Sequence, residues 1–148
     1  MSERIVVGVD GSETAERAAR WAAVEARRRG AALELVAAWE VPTNTYGFGM
    51  APITEDIVKG LIQAAEENLA TAIGVVRDES GDIDLTTTVV EGQAASVLLH
   101  EAEDADLLVV GSRGLGGFRE LLLGSVGQQC AHHAACPVVI VRHVHEAA

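Results

Sequence analysis

Gly111, Gly114, Gly124 and Ser125 stand at fixed spacing directly behind the apolar run Leu107-Leu-Val-Val110. A strand that runs into glycines, then a loop, then a Gly-Ser pair opening a helix brings backbone N–H groups to one point, and such a concavity attracts anions. The chemistry implied is phosphate binding. Two familiar phosphate loops do not fit. A P-loop needs lysine after its second glycine, whereas Gly111 and Gly116 are followed by Gly117. A dinucleotide fingerprint needs a third glycine, and Gly114-Leu-Gly116 has Arg119 in that place. Arg113, inside the loop, either pairs with phosphate through its fork of donors or remains a solvated surface arginine. Ser125 either caps a helix or reaches a phosphate oxygen with the same hydroxyl. Asp10, at the tip of the first apolar run, has the ordinary structural reading of a turn carboxylate.

The stretch from Gly111 to Val126 resembles, position by position, the Gly-x2-Gly-x9-Gly-Ser/Thr pattern of the ATP-binding branch of the universal stress protein family. The resemblance continues in Val6-Val-Gly-Val-Asp10-Gly-Ser12 and in Cys136-Pro-Val-Val-Ile-Val141, so it spans essentially the whole chain. It implies ATP as ligand, with Asp10 near the ribose and phosphates or serving Mg²⁺ or Mn²⁺, for which a hard oxygen is suited. It also implies that Val9, Ala38 and Val126 line the adenine side, although core packing accounts for the same three residues. Two departures stand out. The family often has Gly-x-Pro after the third strand, where this chain has Gly92-Gln-Ala94, and some members carry valine where Ala38 stands.

Positioning these residues requires alternating strands and helices. Arg4 to Val9 reads as a buried strand, with Ser12 as cap and Glu13 and Glu16 at the positive end of the next helix. That helix carries Ala15, Ala19, Ala22 and Ala26 on one face and stops at Arg27-Arg-Arg-Gly30. Ala32 to Trp39 is a second strand. Val41 to Pro52 lacks a period and is long for a compact domain, as a rim over a site would be, and Trp39, Tyr46 and Phe48 are candidates to shield a base. Helical spacing runs from about Thr54 to Val76, weakened by Gly60 and Gly74. Asp84 to Val90 alternates as a strand, Ala94 to Glu103 suits a helix, and Leu107 to Val110 is a buried strand. Ser125-Val-Gly-Gln128 is a capping-box pattern for a fourth helix that stops before Cys136-Pro137, and Val138 to Val141 closes the series.

Five strands alternating with four helices predict an α/β fold, a single doubly wound domain over residues 1–148 with a parallel sheet and helices on both faces. The strand order does not follow from periodicity; the resemblance implies 3-2-1-4-5. In that order the ends of the first and fourth strands flank the switch point where open α/β sheets bind ligand. The last strand then lies at an apolar edge, which favours pairing with another chain. The family commonly dimerises there, so a homodimer through Val138–Val141 is expected.

Composition narrows the function. Of 148 residues 49% are hydrophobic, carried by Ala, Val and Leu, and the net charge of −11 disfavours nucleic acid and acidic membrane surfaces. It does not disfavour a nucleotide, because backbone amides, a local arginine and a divalent cation can make one cleft positive. No signal-like start and no membrane-length apolar run is present, which predicts a cytoplasmic protein. Cys130, His132, His133 and Cys136 lie close together, but their spacing matches no standard zinc template. His100, His143 and His145 have no partner at motif spacing. The expected function is a nucleotide-binding regulatory module of the stress response with at most slow ATP hydrolysis, since no lysine or general base is placed for fast turnover. The competing readings are an adenylyl-transferring or ATP-hydrolysing enzyme, which needs an acceptor site in a short chain, and a cyclic AMP sensor. A phospho-receiver domain needs an aspartate and a lysine where this chain has Glu91 and Arg142.

Overall fold

A computed structural model describes residues 3–41, 53–113 and 124–142. In chain order these form β1 (Arg4–Gly8), α1 (Glu13–Arg29), β2 (Ala32–Trp39), α2 (Glu55–Ser80), β3 (Leu85–Glu91), α3 (Ala94–Glu101), β4 (Leu107–Gly111), α4 (Ser125–His133) and β5 (Val138–Val141). The strands make one parallel sheet in the order β3-β2-β1-β4-β5. The fold is therefore the single doubly wound α/β domain expected. The long segments 42–52 and 114–123, with Tyr46, Phe48 and Gly114, lie outside the described residues, as do His143 and His145.

Parallel strands covered on both faces must be apolar on both faces, and the central strands obey this. Ile5 and Val7 of β1 point into one core with Leu33, Leu35 and Val109, under α1 and α2. Val6, Val36, Leu108 and Val110 point into the other, with Leu98 of α3 and Cys130 of α4. The apolar residues of β1 and β4 thus divide between the two cores, whereas β2 carries the half-buried Glu34, which pairs with Arg4 and accepts from the Thr88 hydroxyl of β3.

Helix α1 follows from its ends and its face. Ser12 accepts the Ala15 N–H at 3.2 Å with its hydroxyl, Glu13 and Glu16 sit in the first turn, and Arg27, Arg28 and Arg29 in the last. Gly30, at φ 66°, takes the left-handed stop that a side chain resists. Its alanines are buried because a methyl lets the helix axis lie close to the sheet. Helix α2 runs to Ser80, one turn past the sequence boundary. The extension is favoured by Arg77, whose guanidinium donates to the carbonyls of Gly81 and Ile83, both at 3.0 Å, and ties the last turn to the chain that follows it.

Gly111 shows how close α1 comes. It lacks the positive φ that would demand glycine, but a Cβ there would lie 2.7 Å from the Thr14 carbonyl carbon and 2.8 Å from the Ala15 nitrogen. Backbone cannot yield as a flexible side chain can. Gly60, on α2, has nothing within 4 Å of a would-be Cβ. Gly111→Ala should therefore lower the unfolding free energy by ~1–3 kcal/mol, whereas Gly60→Ala should raise it by ~0.5–1 kcal/mol. Urea titration of the two variants checks the pair; equal and small effects would refute the packing assignment.

Candidate functional site

The sheet order reverses direction between β1 and β4, and a cleft opens at the carboxyl ends of these two strands. It spans about 540 Å³ of space, part of it open to solvent. One wall is the turn after β1, with Val9, Asp10 and Ser12. The opposite wall is the end of β4, Gly111 to Arg113, and the start of α4, with Gly124, Val126 and Gly127. Val36, Ala38, Ala94 and Leu98 make an apolar end.

Of the residues selected from sequence, Val9, Asp10, Ala38, Gly111, Arg113, Gly124 and Val126 line this one cleft. They come from β1, β2, β4 and α4, so the fold converges them from across the chain. Ser125 is not among the lining residues and is exposed. Trp39 packs on the core under α1 and α2, the opposite side of the sheet from Ala38.

The local geometry refines several roles. Asp10 forms an Asx turn: its Oδ1 accepts the Ser12 N–H at 2.9 Å and the Ser12 hydroxyl at 2.5 Å. Gly11, at φ 82°, completes that turn, and a Cβ on it would lie 2.7 Å from Asn68 Oδ1. The cap of α4 is Gly124, not Ser125. Gly124 has φ −65° and ψ 165°, and its carbonyl accepts the Gln128 N–H at 3.0 Å, so the helix begins one residue before the capping-box reading places it. Ser125 is thereby the first helical residue.

The Gly124 N–H donates to the Ser112 carbonyl at 2.7 Å and is occupied within the protein. The first-turn amides that lack an intrahelical acceptor are those of Ser125, Val126 and Gly127. They stand at the positive end of the α4 dipole, with Val126 and Gly127 on the cleft wall. Neither Gly111 nor Gly124 has a positive φ, so tight-turn dihedrals do not explain either glycine. Gly111 is required by the approach of α1. Asp10 is the one acidic and Arg113 the one basic residue among the described lining.

Sequence reasoning missed Gly8, Ala94 and Leu98. A Cβ on Gly8 would lie 2.8 Å from Leu98 Cδ1, so α3 reaches the sheet through a gap in β1. An isolated glycine inside an apolar strand is the signal for such an approach. Ala94 and Leu98 gave none, because helical periodicity marks the buried face and not the part of it that borders a cavity.

The cysteines and histidines part company, since His132 and His133 are exposed at the end of α4. Cys130 is fully buried in the core under α3 and α4, and Cys136 packs against that core. The His132 and His133 ring centroids are 6.3 Å apart with planes tilted by 55°. Among the described residues no three His, Cys, Asp or Glu side chains converge as metal ligands.

The cleft lies at the topological switch point of a doubly wound α/β sheet, the place where open sheets of this class bind ligands. Residues 1–142 match the model of the universal stress protein family, and the chain belongs to that family. A universal stress protein of Thermus aquaticus is 37% identical over 147 residues, covering 96% of this chain and 100% of the relative. The chain spans less than half the length of the curated mycobacterial relatives it matches. Among solved structures, a universal stress protein in complex with cAMP is 29% identical with a TM-score of 0.67, covering 94% of this chain and 95% of the other. One from Archaeoglobus fulgidus in complex with dAMP is 26% identical with a TM-score of 0.67, covering 94% and 97%. Among the described residues no helix is long and apolar enough to cross a membrane.

Burial pushes the Cys130 thiol from its ordinary value of 9.0 up to about 11, and the neighbouring Cys136 adds to the rise. The folded state favours the neutral thiol, so its contribution is fully present below about 9 and is lost as pH climbs through about 11. Urea unfolding between these limits should show stability falling with pH more steeply in the wild type than in Cys130→Ala. Parallel pH profiles would contradict the burial of this thiol.

Proposed function

We propose that this universal stress protein is an ATP-binding regulatory protein of the stress response, with the nucleotide held at the switch-point cleft. The observation that carries the reading is the two-ended character of that cleft. At one end Val36, Ala38, Ala94 and Leu98 offer an apolar slot for a flat base. At the other, the open amides of the first turn of α4 and the Arg113 side chain suit phosphate. Val9 lies between them, its N–H donating to the Val36 carbonyl at 2.8 Å and fixing the β1 and β2 ends as one surface. The relatives solved with cAMP and dAMP support an adenine nucleotide as the ligand class.

Mg²⁺ or Mn²⁺ accompanies the triphosphate in this reading, with Asp10 as the protein's contribution. One carboxylate plus phosphate oxygens and water is the usual magnesium arrangement. Asp10 Oδ1 is committed to Ser12, so Oδ2 is the oxygen for the cation. Gly114 completes the phosphate loop in the family pattern. Asp10 is the single described carboxylate in the cleft, and it is engaged in the turn; this suits a ligand sensor with at most slow hydrolysis. A cyclic AMP sensor is the second reading, favoured by the cAMP-bound relative.

The proposal extends to a homodimer through β5. Among the described residues this strand pairs with β4 along one side only, and its four residues Val138 to Val141 are all half-buried. An apolar edge with open N–H and C=O groups is completed by a second copy.

Calorimetry with ATP, ADP, AMP and cyclic AMP, with and without Mg²⁺, tests the ligand. Gly124→Val keeps an allowed φ but adds bulk beside the phosphate end, and should weaken ATP binding by ~10-fold or more. Unchanged ATP affinity in that variant would sink the phosphate assignment, and tighter binding of cyclic AMP than of ATP would move the reading to second-messenger sensing. Sedimentation analysis tests the assembly: a dimer is expected for the wild type and a monomer for Ile140→Pro, which removes an N–H from the side of β5 that faces away from β4. A wild type that stays monomeric at high concentration overturns the edge-strand dimer.

A further inference from the structure

Thr14 is 4% exposed, lies in the first turn of α1, and has no part in either core. Its hydroxyl donates to the Arg113 carbonyl and accepts the Arg113 N–H at 3.4 Å. One side chain on α1 thus holds both main-chain polar groups of a residue 99 positions away. A hydroxyl suits this because it carries one donor and two acceptor sites. Ser12 Oγ reaches the Arg113 carbonyl only at 3.4 Å, and its single proton is drawn to Asp10 Oδ1 at 2.5 Å.

The location gives this bridge its consequence. Arg113 lines the cleft and is where the chain leaves β4 for the Gly-x2-Gly-x9-Gly-Ser segment. A residue whose N–H and C=O are both anchored leaves its strand in one direction, so the guanidinium and the chain beyond start from a fixed point. Gly111 makes the bridge possible, since a Cβ on it would lie 2.5 Å from Thr14 Oγ1 and displace the hydroxyl.

We propose that Thr14 is a positioning residue for the phosphate end of the cleft: without touching the ligand, it sets the main chain of Arg113 so that the Arg113 side chain starts from a fixed point on the cleft wall before ligand arrives. The proposal rests on the nucleotide reading above. Preorganisation of this kind raises affinity by removing an ordering cost, and it acts only on the part of the ligand that meets Arg113. Loss of the hydroxyl should accordingly weaken triphosphate binding and leave the nucleoside untouched.

The test is calorimetry on the full chain with Mg²⁺–ATP and, separately, with adenosine, for wild type, Thr14→Val and Thr14→Ser. Valine keeps the shape and removes the hydroxyl, and with it both Thr14 bonds to the Arg113 main chain, which should cost about tenfold in ATP affinity. Adenosine affinity should not change, and Thr14→Ser should bind ATP nearly as the wild type does. Wild-type ATP affinity in Thr14→Val overturns the proposal, as does equal weakening of ATP and adenosine, or a serine variant as weak as the valine one. A valine variant that circular dichroism shows to be unfolded also overturns it, because the hydroxyl is then a prop for the whole domain. A wild type that binds neither ligand refutes the nucleotide reading itself, a separate failure that is visible before any variant is compared.

Discussion

Two consecutive residues at the end of β4, Ser112 and Arg113, have all four of their main-chain polar groups held within the protein. The Ser112 N–H donates to the Val141 carbonyl at 2.8 Å, and the Ser112 carbonyl accepts the Gly124 N–H at 2.7 Å. The Arg113 groups are both taken by Thr14. The edge strand β5, the cap of α4 and the first turn of α1 therefore meet at one dipeptide. Buried main-chain groups without partners cost ~1–3 kcal/mol each, so moving any of the three elements carries a penalty at this junction. The cleft is rigid on this side because its wall is the junction.

Small residues make that convergence possible. Gly111 admits α1 to van der Waals contact with β4, and the buried alanines of α1 keep the rest of the helix equally near. Gly8 does the same for α3 on the other face, where Leu98 fills the space that a Cβ would need. Gly127 of α4 faces β4 as well, although there a Cβ would meet the Gly111 carbonyl oxygen at an ordinary 3.8 Å. Each glycine or alanine removes bulk at a helix–sheet contact, and the cleft is the volume left where three such contacts stop short of one another. An aromatic-poor core is a condition of this arrangement, because a large ring in α1 would hold it away from the sheet.

The elements were legible because their signals are local. A short continuous apolar run, Ser12 before Glu13 and Glu16, and Gly30 after three arginines mark β1 and α1 within a residue or so. The start of α4 was displaced because Ser125 and Gln128 make a plausible box, and only the extended dihedrals of Gly124 show that the glycine takes the cap. The site was legible in part. Glycines, Asp10 and Arg113 announce a ligand by type and spacing, but Ala94 and Leu98 are indistinguishable in sequence from any other buried helical residue. Thr14 is the extreme case, since its partner is almost a hundred residues away and nothing around it in the chain calls for a hydroxyl.

The reason assigned to a glycine also changes once geometry is available. In sequence, Gly111 and Gly124 belong to one phosphate pattern and invite one explanation. In the structure Gly111 is demanded by Thr14 and Ala15, and the Gly124 amide is spent on Ser112. In the proposed nucleotide reading the anion site therefore rests further on, at the Val126 and Gly127 amides in the first turn of α4 on the cleft wall, and Gly111 acts by admitting α1. This also reconciles a chain of net charge −11 with an anionic ligand. Surface carboxylates are screened within about 10 Å at ordinary salt, whereas helix-end amides and Arg113 act at hydrogen-bond distance. Whether an acidic protein holds phosphate is decided by the few groups inside the cleft, and those groups are fixed by packing.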